Sequence, residues 1–71
     1  MVTVYVRFGA EGRASHDEVL RILEKPRYWE KGGAVYANIE RREEANLLVM
    51  RLRNLHNVQA RILEAGDTHN G

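Results

Sequence analysis

Arg27-Tyr28-Trp29-Glu30-Lys31-Gly32-Gly33-Ala34-Val35-Tyr36-Ala37-Asn38-Ile39 carries two strand-forming runs on either side of a glycine pair. Aromatic and β-branched side chains suit a pleated surface, and Lys31-Gly32 before Gly33 signals a tight turn, because glycine takes the positive φ such turns need. The segment reads as a hairpin. In its second arm Val35, Ala37 and Ile39 alternate with Ala34, Tyr36 and Asn38, so the first three face a core and the others face away. The first arm, Arg27-Tyr28-Trp29, is too short for parity to fix where Tyr28 and Trp29 point. With the hairpin the chain has four strands; without it, three strands in a βαβαβ order remain.

Upstream, Val2, Val4, Val6 and Phe8 alternate with Thr3, Tyr5 and Arg7, the period of a half-buried strand. Gly9-Ala10-Glu11-Gly12 breaks it. Ser15 and Glu18 have the spacing of a capping box, in which hydroxyl and carboxylate satisfy free backbone N–H groups, so a helix is predicted to start near Ser15. Val19, Leu20 and Leu23 form its apolar stripe with Ile22 at the edge, and Pro26 stops it near Lys25. Downstream, Arg41 to Leu55 repeats apolar residues at Ala45, Leu48, Val49, Leu52 and Leu55, one stripe of an amphipathic helix. His56-Asn57 ends it, since asparagine tolerates the left-handed conformation, and Val58 to Leu63 returns to strand alternation.

The order β-α-β-β-α-β, joined by right-handed crossovers, predicts an α+β fold: a ferredoxin-like split βαβ sandwich with a four-stranded antiparallel sheet and two helices on one face. Residues 1–66 form the single domain and 67–71 a flexible polar tail without apolar anchors. The core is predicted from Val4, Val6, Leu20, Leu23, Val35, Ile39, Leu48, Val49, Leu52 and Ile62.

At 71 residues and 8.2 kDa there is room for one core and little for a walled-in cavity, so function belongs on a surface. Eleven basic residues against ten acidic give a net charge of +1, so any attraction for a polyanion must come from a local patch. The absence of cysteine excludes disulfides, thiolate metal sites and a cysteine nucleophile. No apolar run approaches the roughly 20 residues of a membrane span, and the start lacks a signal-peptide pattern, so a cytoplasmic chain without a membrane partner is expected.

The uncovered sheet face is predicted to display Thr3, Tyr5 and Arg7, then Ala34, Tyr36 and Asn38, then Gln59, Arg61 and Leu63. In the usual strand order of this fold the first and third strands are central, which makes Tyr5 and Tyr36 neighbours. Two adjacent rings can stack successive bases while Arg7 and Arg61 supply charge or planar stacking. The residues here resemble the RNA recognition motif family. Val4-Tyr5-Val6-Arg7-Phe8-Gly9 is similar to its first-strand motif and Lys31 to Ile39 to its third-strand motif, followed by Glu43-Glu44-Ala45 and a Leu55-His56-Asn57 turn. The likeness runs over most of residues 2–64. It implies binding of single-stranded RNA without catalysis, with Tyr5 and Tyr36 at two of three stacking positions. The third falls on Ala34, the hairpin loop is short, and Lys25-Pro26 leads almost directly into the second strand.

The expected site is therefore Tyr5, Arg7, Tyr36, Asn38, Gln59 and Arg61, with single-stranded RNA or DNA as partner and no cofactor. A competing reading makes the tyrosines a simple cross-strand pair. It buries the face in a homodimer or against a protein partner, with Arg7 and Arg61 paired to Glu30, Glu40 or Glu64. Leu47 and Met50, off the main stripe of the second helix, read as core-edge residues with protein binding as their other use.

No enzyme signature is legible. Ser15-His16-Asp17 holds the side-chain types of a hydrolytic triad, but successive helical residues fan about 100° apart and cannot form a relay. His16, His56 and His69 lack metal spacing and are expected in solvent. Gly9 to Arg13 lacks a P-loop ending, which leaves Arg13 as a candidate backbone contact. Glu43 and Glu44 suit the positive end of a helix dipole better than paired acid–base work.

Overall fold

A computed structural model of the chain describes residues 1–9, 15–24 and 27–63. Its elements are β1 (Val2–Phe8), α1 (His16–Leu23), β2 (Tyr28–Lys31), β3 (Ala34–Ile39), α2 (Arg42–Arg53) and β4 (Val58–Leu63). The four strands form one antiparallel sheet in the order β2-β3-β1-β4, the arrangement of a ferredoxin-like α+β fold. The hairpin forms, with Gly32 and Gly33 at φ +59° and +80° between β2 and β3. Positive φ at both central residues matches the right-handed twist of the flanking strands.

One sheet face and both helices share the core. Val4 and Val6 of β1, Val35, Ala37 and Ile39 of β3 and Ala60 of β4 pack with Val19 and Leu23 of α1 and Ala45, Leu48, Val49 and Leu52 of α2. Leu20 and Ile62, predicted as core, are half-buried and pack against its margin. Leu47 and Met50 depart further from expectation, being 62% and 64% exposed. The buried stripe of α2 is narrow enough that these two positions clear the core.

The first helix differs at both ends. Ser15 makes no side-chain cap; its hydroxyl donates to the His56 carbonyl at 3.4 Å, and Glu18 pairs with Arg21 instead. Ser15 has φ −94° and ψ 1°, not the extended backbone that aims a capping hydroxyl back at the helix. The helix closes at Leu23, two residues before the predicted end, on Glu24 at φ +66°. Lys25 and Pro26, the Gly9-to-Arg13 segment beyond Gly9, Glu64, His69 and the C-terminal tail lie outside the described residues.

The second helix closes at Arg53, two residues before the expected end at Leu55, on Asn54 in the right-handed conformation. Asn57 thus takes the expected left-handed conformation not as the helix stop but in the turn that leads into β4. Asn57 stands at φ +55° and its carbonyl accepts a 2.7 Å bond from the Gly9 amide, joining the ends of β4 and β1. An alanine in the left-handed region costs about 1–2 kcal/mol per residue. Asn57→Ala should therefore destabilise the domain by about 1 kcal/mol in urea unfolding, whereas Asn57→Gly should be nearly neutral. Equal losses for both would assign the effect to the side chain and not the backbone.

Candidate nucleic-acid interface

Register, more than any single motif, builds the site. Trp29 pairs with Tyr36, Tyr36 with Tyr5, and Tyr5 with Arg61, so one side chain from each strand lines up across the whole sheet. Pairing partners share a face. Because Tyr36 alternates with the core residues Val35 and Ala37, the row stands on the side away from the helices. Trp29, whose facing could not be read from its short strand, thus lies on the open face, while Tyr28, opposite Ala37, packs against the core.

The row is in continuous contact. The Trp29 and Tyr36 rings are stacked at 5.6 Å between centroids and 12° between planes; Tyr36 and Tyr5 are tilted at 5.2 Å and 54°. The Arg61 guanidinium carbon lies over the Tyr5 ring, 5.6 Å from its centroid. These are preferred aromatic and cation–π geometries. The two tyrosines are half-buried, whereas Trp29 on the edge strand is 40% exposed, so the most accessible ring is the one absent from the expected site. The family-like third stacking position at Ala34 is buried and carries no ring.

A second row runs beside the first. Lys31 pairs with Ala34 and Arg7 with Gln59, each two residues along its strand from the aromatic row and therefore about 7 Å from it. Lys31, Arg7 and Gln59 are exposed. On the other side Thr3 pairs with both Asn38 and Leu63, and its hydroxyl donates to the Asn38 side-chain oxygen at 3.0 Å. Asn38 is thus held by Thr3 at the margin of the face.

No acidic residue of the described strands lies on this face. Glu30, opposite Val35, has core-side parity, and its Oε1 lies 2.8 Å from His16 Nε2 at the start of α1. His16 also packs against Phe8 at 5.5 Å, so it is partly sheltered and not fully in solvent as expected. With Ser15 turned to His56 and His16 to Glu30, the Ser-His-Asp run has no shared geometry. Among the described residues no three His, Asp or Glu side chains gather as metal ligands, and no helix is long and apolar enough to cross a membrane.

Comparison with protein-family models, with curated proteins and with solved structures finds no match. The fold and this face alone therefore carry the functional reading.

Proposed function

We propose that the domain binds single-stranded nucleic acid, RNA or DNA, across the open face of its sheet. The observation that carries this reading is the pair of parallel rows. Bases stack along Trp29, Tyr36 and Tyr5, and the backbone runs along the cationic row of Lys31 and Arg7 about 7 Å away and meets Arg61 at the β4 end of the aromatic row. Stacking on rings tolerates any base, so affinity without strong sequence preference is expected. The face has the charge balance this needs, although the chain as a whole has a net charge of only +1.

The same charge distribution argues against the homodimer. In a face-to-face dimer Glu30 would not reach Arg7 or Arg61 of the second copy, because it is engaged with His16 on the other side of the sheet. Glu40 lies one residue beyond the end of β3, four residues from Tyr36, and Glu64 lies outside the described residues.

Trp29 is the only tryptophan and serves as its own reporter. Titration with mixed-sequence single-stranded RNA and DNA oligomers should quench its fluorescence saturably. Lys31, Arg7 and Arg61 in contact with phosphates contribute about −2 to the slope of log affinity against log salt, at roughly −0.7 each for single strands. No quenching at any salt concentration, together with a dimeric mass, would favour the homodimer instead.

A further inference from the structure

At the β4 edge of the sheet the aromatic row ends in a shallow hollow of about 210 Å³, lined by Tyr5, Arg53, Gln59, Ala60 and Arg61. Arg53 comes from the last turn of α2, on the opposite layer, and reaches round the edge strand. Its Nε donates to the Ala60 carbonyl at 2.9 Å. Opposite Val6, Ala60 belongs to the core side of β4, and its carbonyl would otherwise lie unpaired along an open edge.

That bond holds the guanidinium at the β4 edge while using only one of its five N–H groups. Arg61, the other cation of the hollow, is steadied by its place over Tyr5. Two arginines are thus held beside one cavity, each by a contact that leaves terminal amino groups to spare, and none of the lining residues is a carboxylate. Forks held in this way suit a phosphate, which accepts parallel N–H bonds.

We propose that this hollow is a phosphate-binding subsite, with Arg53 and Arg61 gripping the backbone where a bound single strand leaves the sheet over β4. The inference rests on the nucleic-acid reading given above. It adds a residue from the helical layer to the interface and fixes the exit side of the strand.

The test compares Arg53→Gln with Arg51→Gln in salt titrations against one single-stranded oligomer. Both remove one charge from the same helix turn, but Arg51 borders the groove between the helices, with Ile22 and Leu47, and not the hollow. Arg53→Gln should reduce the salt slope by about 0.7, equivalent to about fivefold weaker binding at 0.1 M salt when referred to 1 M. Arg51→Gln should leave the slope at the wild-type value. Equal slopes for the two variants, with the wild type binding, overturn the subsite and leave the platform standing; no binding by the wild type overturns both. Arg53→Lys guards against a folding defect. A retained slope with affinity lowered a few-fold supports the held fork, and wild-type affinity overturns it.

Discussion

The double variant Tyr5→Ala/Tyr36→Ala is expected to lose at least about 30-fold in affinity for a single-stranded oligomer while staying folded and unchanged in mass. Each ring stacked on a base contributes about 1–3 kcal/mol by alanine substitution, so two contribute at least about 2 kcal/mol. The loss should exceed this minimum, because Tyr36 also backs Trp29 and Tyr5 backs Arg61, and removing the tyrosines frees both neighbours. The fold should survive. Both rings stand on the uncovered face outside the core, and aromatic pairs add only about 0.5–1.5 kcal/mol beyond their buried area. Fluorescence anisotropy of a labelled oligomer, read beside circular dichroism and sedimentation, separates the outcomes. Unchanged affinity would remove stacking from the account, and a change of mass on substitution would point to a protein interface.

The strands and α2 were legible because each shows its period within its own residues. Val2 to Phe8 and Val58 to Leu63 alternate, and Ala45, Leu48, Val49 and Leu52 repeat on one helical face, matching the buried positions found. Asn57 and the glycine pair were legible for a different reason, since few residues accept positive φ. Trp29 was not legible. Its strand has four residues, and facing is fixed only by pairing with β3, a relation between strands that neither strand carries alone. The four-residue row is a product of three such registers, and the motif resemblance, which follows one strand at a time, set the third ring at Ala34. Arg53 was missed for a related reason: on the helix it reads as a solvated last-turn cation, and its role at the β4 edge comes from tertiary packing.

Leu52→Ala should carry the largest stability cost, and Leu47→Ala on the same helix the smallest. Leu52 is fully buried where α2 packs on the sheet, whereas Leu47 is 62% exposed. Truncating a buried leucine costs about 2–5 kcal/mol, and surface changes usually stay within about 0.5 kcal/mol. A domain of 71 residues has a total stability of about 4–10 kcal/mol at roughly 0.05–0.15 kcal/mol per residue, so the first change consumes much of it. At about 4–8 °C per kcal/mol, Leu52→Ala should lower the thermal midpoint by roughly 10–40 °C, while Leu47→Ala leaves it nearly unmoved. Similar midpoints for the two variants would mean that α2 is rotated about its axis relative to this packing. Such a rotation would also carry Arg53 away from Ala60, so this pair of melting curves checks the helical geometry on which the β4 edge depends. Nucleic-acid binding by Leu52→Ala should fail in step with unfolding and return on cooling below its midpoint, unlike the loss in the tyrosine variant, which persists in a folded protein.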